Sequence, residues 1–448
     1  MRLNEAAAAI GARATGPDVE FTRVETDTRK LTPGCLFVAL RGPNFDGHAF
    51  VDRAIELGAA AVMVGESSGS RLPTHPTLIV DDTRLALGRL AAWHRGLMPA
   101  KVAAITGSNG KTTVKEMLAA ICRAVAGGDA VLATQGNLNN DIGMPLTLLG
   151  LTPAHRFAVI EMGMNHPCEI DTLTHIARPD VALVNNALRA HLEGLGSIEA
   201  VARAKGEIYA GLGHDGIAIV NADDPNAELW REMNAGRKTL TFGIAEGTSV
   251  RLVCPDPLAL MTPAGPIKAR LQVPGAHNAL NAAAAAACAL ALGIAPLAIA
   301  DGLAAYAGVK GRLQTHPCIL GATLIDDSYN ANPDSVAAAI DVLAARRGTR
   351  ILVLGDMGEL GTDAAALHRE AGDRARAAGI DRLLCIGELS LECVQAFGPG
   401  GMHFERIEEL LAEIEQALGP DVTVLVKGSR FMRMERVVQS FIGSELCS

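Results

Sequence analysis

No C-x-x-C pair, no N-K-x-D tetrapeptide and no excess of positive charge occur in this 448-residue sequence. Each absence removes a class of function. The nine cysteines are scattered and odd in number, which fits reduced, structural thiols of the cytoplasm rather than a disulfide framework or a thiol redox motif. Without N-K-x-D there is no guanine-reading signature. Lys and Arg total 40 against 49 Asp and Glu, a net charge of −9, so a broad phosphate-backbone surface is not expected and nucleic acid is not the expected partner. The opening M-R-L-N-E-A-A-A-A-I-G-A-R is broken by Glu5 and Arg13, so no secretory leader is expected. The uncharged stretch from Ala282 to Ala300 is mostly alanine and holds Gly293 and Pro296. It predicts a buried helix, a glycine turn and the start of a second helix, not a membrane span.

Length sets the organisation. At about 150 residues per domain the chain predicts about three domains, and one core rarely grows past about 300 residues. With 49% hydrophobic and 20% charged residues it is a globular chain. Short apolar runs at 35–40, 59–64 and 77–80, with a helical segment at 49–58, predict a small α/β domain over 1–85. Nearly continuous apolar runs at 102–106, 157–163, 180–186 and 216–221 are separated by helical patterns. They predict a central, mostly parallel sheet over 86–311, which the phosphate-loop motif below makes ATPase-like. Runs at 322–327, 350–355, 382–387 and 422–428 predict a further parallel α/β domain over 312–448. The fold class is therefore α/β in three domains.

The sharpest motif is Gly107-Ser108-Asn109-Gly110-Lys111-Thr112-Thr113, between a strand and a helix expected from Val114 to Ala126. Backbone N–H groups at a helix start and a lysine suit phosphates, and a following hydroxyl suits Mg²⁺. Ile105 replaces the first glycine of the longer G-x-x-x-x-G-K-[ST] form, so the loop is the short G-x-x-G-K-T variant. Glu161 ends the run F-A-V-I-E and falls at the carboxyl edge, where doubly wound sheets bind ligands. There a carboxylate suits Mg²⁺. His191, in the loop A-H-L-E-G-L-G, falls at the same edge, though a lone histidine has more often a structural role. Ser197 caps a helix on which Ile198, Val201, Ala202, Lys205 and Ile208 share one face. Lys205 is thus either a buried amine that must be paired, neutral or modified, or a snorkelling side chain.

With these motifs the chain resembles the ATP-dependent Mur ligases of peptidoglycan synthesis. The resemblance runs through T-D-T-R-K-L-T-P-G at 26–34, N-F-D-G-H at 44–48, T-G-S-N-G-K-T-T at 106–113, G-N-L-N-N-D-I-G-M-P at 136–145 and A-H-L-E-G at 190–194. It continues through A-K-G-E-I at 204–208, H-N-A-L-N-A at 277–282, G-R-L-Q at 311–314, D-D-S-Y-N-A-N-P at 326–333 and K-G-S-R at 427–430. It implies an N-terminal domain for the UDP end of the substrate, a central ATP domain and a C-terminal Rossmann-like domain. It implies that Lys111 and the loop bind ATP, with Thr112 and Glu161 on one Mg²⁺. His191 and a carbamylated Lys205 would serve a second. Asn278, Asn281, Arg312, Asp327 and Tyr329 match positions around the nucleotide, with Arg312 reaching the γ-phosphate on closure. Asp27, Arg29, Phe45, Asp46 and His48 match the uridine-diphosphate end, and Asn137 and Asn140 the muramoyl and phosphate segment.

Within the family, the third-amino-acid-adding member carries D-N-P-R where this chain reads A-N-P-D-S at 331–335. That favours the member joining D-alanyl-D-alanine to UDP-N-acetylmuramoyl-tripeptide, with the roles in cell-wall biogenesis, cell shape and division that follow. Lys427 and Arg430 become candidates for the incoming carboxylate, since a guanidinium fork suits one. A cytoplasmic monomer without membrane insertion is expected. Other amide ligases of the superfamily (diamino-acid-adding or folylpolyglutamate-type), a nucleotide-gated binding protein and a phosphate-loop kinase stay open as alternatives.

Overall fold

The computed structural model describes residues 1–66 and 74–442, so Cys447 lies outside the described residues. Among them the strands form three main sheets. The first has five strands in the order Arg13–Thr15, Thr77–Val80, Ala61–Gly65, Cys35–Val38 and Arg23–Glu25, parallel except at the Arg13–Thr15 edge. The helix Val51–Glu56 falls where the pattern predicts one. Asp82 caps the next helix, Thr83–Leu97, by accepting from the N–H groups of Arg84 and Leu85.

The central sheet has nine strands. Lys101–Thr106 lies in its interior between Val181–Val184 and Phe157–Glu161, all parallel. Chain order reverses on either side of that strand, the kind of switch point beyond which ligands bind in open α/β sheets. The sequence runs marked as strands are present, but the far end of the sheet departs from the pattern. Val250–Pro255, Leu258–Met261 and Ile267–Ala269 form an antiparallel extension with a bulge between Leu252 and Cys254. Half-exposed edge strands of that kind lack the continuous apolar signature of buried parallel ones.

The third sheet runs Gln314–Pro317, Thr323–Asp327, Val422–Lys427, Thr349–Gly355, Arg382–Ile386 and Gly401–Phe404, parallel apart from the first strand. Helices cover both faces, which gives two cores. One is built on Ile325, Leu352, Leu383 and Leu425, the other on Leu324, Val353, Leu384 and Val424. This is the Rossmann-like arrangement expected of the last block.

The first two sheets do not keep separate cores. Leu36, Leu78 and Leu90 belong to one buried cluster with Val102, Ile160 and Trp230, so the helix Thr83–Leu97 is a shared layer. The alanine-rich stretch is the helix Ala276–Ala291, buried throughout from Ala282 to Ala289. A left-handed Gly293 (φ 84°) ends it, and the helix Pro296–Ala305 follows. Alanine there allows close packing against Lys111–Ala126, the helix that opens at the phosphate loop. No helix among the described residues is long and apolar enough to cross a membrane, and all eight described cysteines are free thiols.

Pro296–Ala305 crosses Lys111–Ala126 at Gly302. A Cβ at that glycine would lie 2.3 Å from Ile121 Cα and 2.8 Å from its backbone N. Backbone cannot yield as a side-chain tip can. Gly302→Ala is expected to lower unfolding stability by about 1–3 kcal/mol through overpacking. Urea titration checks this, and an unchanged midpoint would refute the packing argument.

Candidate active site

The loop 107–110 is shaped by what presses on it. Gly110 has φ 79°, and a Cβ there would meet Asn281 Oδ1 at 2.4 Å and Asn185 Nδ2 at 2.6 Å. Asn185 Nδ2 donates to Asn281 Oδ1 (3.0 Å) and to the Asn109 carbonyl (2.9 Å). The N–H groups of Ser108 and Asn109 are already taken, by Asn186 O (3.0 Å) and Asn186 Oδ1 (2.9 Å). The donors left for an anion therefore include the Gly110 N–H and the first N–H groups of the helix Lys111–Ala126, but not those of Ser108 and Asn109. Lys111 Nζ folds back onto Gly107 O (2.5 Å) and Ser108 O (3.2 Å). Burial lowers its pKa, Glu161 opposes that, and Arg312 adds to it.

Beneath the loop, Thr112 Oγ1 donates to Glu161 Oε2 (2.8 Å), and Asn139 Nδ2 donates to Glu161 Oε1 (2.8 Å). Thr134 fixes the end of the Glu161 strand, its hydroxyl accepting from Glu161 N (3.0 Å), while its carbonyl accepts from the buried Lys115 (2.7 Å). Arg312 reaches from the far side, Nη2 to Thr112 Oγ1 at 3.0 Å, with its guanidinium 4.4 Å from the Tyr329 ring centre. Among the described residues no three His, Cys, Asp or Glu side chains converge into a ready-made metal cage. A hydroxyl beside one buried carboxylate does fit Mg²⁺, which takes one or two carboxylates and completes its shell with phosphate and water.

Lys205 is buried, with 1% of its surface exposed, and has no hydrogen-bond or ion-pair partner among the described residues. Ser197 caps its helix as expected, accepting from Ala200 N (3.1 Å). Ile198 departs from the expected stripe: at the first turn it is 41% exposed, and the buried face begins at Val201. Burial and the neighbouring Lys111 push the Lys205 pKa well below the usual lysine range, which favours the neutral amine. His191 sits at φ 59° with Nδ1 2.7 Å from Glu359 Oε2, and burial lowers its pKa.

Between the central and last domains lies a cleft of about 1090 Å³. Ser108 to Lys111, Thr113, Glu161 and His191 line one wall, with Asn137, Asn140, Asn278 and Asn281. Arg312, Asp327, Tyr329, Lys427 and Arg430 line the other. Gly107, Thr112 and Lys205 sit behind the surface. Several of these side chains are held within the protein. Lys427, 3% exposed, donates from Nζ to Asp327 Oδ2 (2.6 Å) and Asn330 O (2.9 Å). Asp327 also accepts from Leu313 N (3.2 Å), and Arg430 pairs with Glu435 (2.9 Å). Of the two carboxylate candidates, Arg430 is the accessible one. Asn140 Oδ1 accepts from the N–H of Gly143 (2.8 Å) and so also shapes a turn.

The five residues matched to the uridine-diphosphate end do not line this cleft. Arg29 holds Asp27 at 2.7 Å and its pKa down to about 2. Asp46 accepts from His48 N (3.0 Å) and His48 Nδ1 (2.6 Å) and is held down to about 2 by those bonds. His48 Nε2 in turn accepts from Gly65 N (3.0 Å), so this histidine is a strut between the hairpin and the first sheet. Phe45 is 55% exposed beside them.

The sequence reading missed Asn139, Asn185, Asn186, Arg189 and Glu359. Arg189 donates to Asp334 (2.8 Å) and Glu370 (2.7 Å) of the last domain, and Asn109 and Asn332 exchange hydrogen bonds across the same gap. Asn332 and Ser335 also form a reciprocal capping box at the start of the helix Pro333–Ala344.

A phosphate-type loop at a sheet switch point, faced across a cleft by a Rossmann-like domain, defines a multidomain α/β protein of the phosphate-loop class. Models of the Mur ligase catalytic domain, middle domain and glutamate ligase domain match residues 20–95, 105–289 and 311–430. The chain is 45% identical over 447 residues to the UDP-N-acetylmuramoyl-tripeptide–D-alanyl-D-alanine ligase of Escherichia coli, covering 98% of this chain and 97% of that one. The crystal structure of MurF from Acinetobacter baumannii superposes with a TM-score of 0.91 at 36% identity, covering 98% of each chain. MurF from Thermotoga maritima in complex with ADP gives 0.82 at 28%, covering 93% and 96%. The chain belongs to the Mur ligase family.

Burying an amine costs stability. Lys205→Met is expected to raise unfolding stability by about 1–3 kcal/mol near pH 7 in CO₂-free buffer, the cost of taking an amine largely out of water. Lys205 titrates lower in the folded than in the unfolded chain, so the unfolded chain carries an extra proton. Wild-type stability therefore rises with pH between those two values, and the variant lacks that slope. Its advantage should shrink toward about pH 10. Urea unfolding at both pH values measures this. A variant no more stable than wild type near pH 7 would show that Lys205 is satisfied.

Proposed function

We propose that this chain is an ADP-forming ligase that joins D-alanyl-D-alanine to UDP-N-acetylmuramoyl-tripeptide in peptidoglycan synthesis. The observation carrying the reading is the convergence of Lys111, Arg312 and the helix start on one cleft, in a chain 45% identical to a ligase of that name. The tripeptide's terminal carboxylate takes the γ-phosphoryl group of ATP. ADP leaves, and the resulting acyl phosphate has a leaving group that a free carboxylate lacks. The amine of D-alanyl-D-alanine attacks its carbonyl carbon, and the tetrahedral species expels inorganic phosphate as the amide forms and the amine loses its proton. Lys111 swings from the loop carbonyls to the phosphates, and Arg312 approaches the γ-phosphate from the last domain.

In this reading Thr112 and Glu161 hold one Mg²⁺, and His191 with a carbamylated Lys205 serves a second. The ions supply charge neutralisation on the phosphates. A neutral amine is what CO₂ requires to form a carbamate, with loss of one proton, and Lys205 is buried and unpaired. Asn278, Asn281, Asp327 and Tyr329 surround the nucleotide. Asp27, Arg29, Phe45, Asp46 and His48 take the uridine-diphosphate end, Asn137 and Asn140 the muramoyl side, and Arg430 with Lys427 the dipeptide end. Domains at 1–85, 86–311 and 312–448 divide these tasks in a cytoplasmic monomer.

Choice of the dipeptide over a diamino acid is supported at residue 334. Where the other member places arginine, this chain has Asp334, already bonded to Arg189. An acid cannot bind a substrate carboxylate.

Purified protein with ATP, Mg²⁺, UDP-N-acetylmuramoyl-tripeptide and D-alanyl-D-alanine should release ADP only when both peptide substrates are present. ADP release independent of the dipeptide, or a stable phosphorylated product without an amide, would refute the assignment. Lys205→Ala should lower kcat by about 10²-fold or more, with partial recovery on adding formate. Wild-type turnover in that variant without added acid would remove the carbamate from the mechanism.

A further inference from the structure

The loop after the strand Thr349–Gly355 carries Glu359 in the left-handed region, at φ 61°. It meets His191, itself at φ 59°, from the central domain, with Oε2 2.7 Å from Nδ1. The backbone reinforces the meeting, since Glu193 N donates to Glu359 O (3.3 Å). Two non-glycine residues in a disfavoured conformation, on loops of different domains, persist where their surroundings over-determine them, and such strain clusters at functional sites. His191 Nδ1 is buried and has no well-formed hydrogen bond among the described residues. Glu359 is the carboxylate beside it, and its approach is oblique. Such bonds tighten in the loaded state of an enzyme.

A histidine that offers Nε2 to a cation must keep its proton on Nδ1, and an acceptor at Nδ1 decides this. We infer that Glu359 is a positioning residue that, with the last domain docked as it is in this structure, holds His191 as the Nδ1–H tautomer with Nε2 turned to the cleft. The inference rests on the ligase reading for the role of His191, but its physical core concerns one ring and one carboxylate. Docking of the last domain and readiness of the metal-facing histidine become one event. A tether would serve equally well through the Glu193 and Glu359 backbone alone and would need no acid at this position.

The test uses the full chain with Glu359→Ala and Glu359→Gln. The Ala variant removes the acceptor, whereas the Gln variant keeps a carbonyl oxygen and loses only the charge. In the coupled assay, Glu359→Ala should raise the Mg²⁺ concentration for half-maximal rate about 10–100-fold and lower kcat, with KM for the UDP substrate unchanged. Glu359→Gln should recover most of that loss. A readout independent of turnover is ¹⁵N NMR of histidine-labelled, ligand-free protein, with the His191 signals assigned by His191→Asn. Wild type and Glu359→Gln should show the Nδ1–H tautomer, and Glu359→Ala a mixture. An unaltered tautomer and Mg²⁺ requirement in Glu359→Ala would overturn the inference. If Glu359→Ala unfolds, the Gln variant decides: a mixture of tautomers there overturns it as well. Wild-type protein that fails to couple ADP release to the dipeptide sinks the ligase reading and leaves the ring measurement standing as a separate result.

Discussion

Cationic side chains with too few counter-charges are gathered at one cleft, and the rest of the architecture is arranged around that imbalance. Lys111 and Arg312 come from separate segments, and the neutral amine of Lys205 lies behind them. Burial lowers the pKa of both lysines, with Arg312 adding to the effect on Lys111 and Lys111 to that on Lys205. Glu161 and Glu359 are the acids that act on Lys111 in return, and neither makes an ion pair with it. In an acidic chain of net charge −9 the general field does not attract polyphosphates. Attraction is local, from lysine, arginine and open helix N–H groups, and like-charge repulsion leaves the site short of an anion. A nucleotide relieves that repulsion, so binding and organisation of the site reinforce each other.

The walls of the cleft carry the complementary half of that design. Asn109, Asn139, Asn185, Asn186, Asn278, Asn281 and Asn332 supply most of the hydrogen bonds around the loop. An amide side chain donates and accepts without charge. It can pin Gly110 and hold both oxygens of Glu161 in place without neutralising the lysines or adding to the repulsion. Aspartates in those places would compete with phosphate for the same cations. Asparagine is the residue that keeps the scaffold rigid and the field intact.

What the sequence made legible follows from how local each feature is. Strands buried on both faces announce themselves as apolar runs, and the phosphate loop, the Ser197 cap and Lys205 on an apolar stripe are written within a few residues of one another. Ile198 was misplaced on that stripe because the first turn of a helix protrudes past the layer it packs on. The antiparallel strands at 250–269 were missed because edge strands are only half covered. Arg189 and Glu359 were illegible for a different reason. Their partners lie 145 to 181 residues away for Arg189 and across a domain gap for Glu359, and an arginine or glutamate in a loop carries no pattern of its own. On the uridine side the motif marks Asp46 and His48 but not that they bond to each other, with Arg41 also on Asp46.

The contacts between the central and last domains also argue about how the cleft closes. The Arg189 fork is only part-buried, so water still competes for it, and together with the Asn109–Asn332 exchange it holds the domains through polar contacts. Among the described residues the apolar clusters on either side of residue 312 are separate. A weak polar latch lets the last domain leave and return, which substrate entry and product release require. Arg312 reaches Thr112 and Glu359 reaches His191 from the last domain, so both contacts depend on the same docking of that domain.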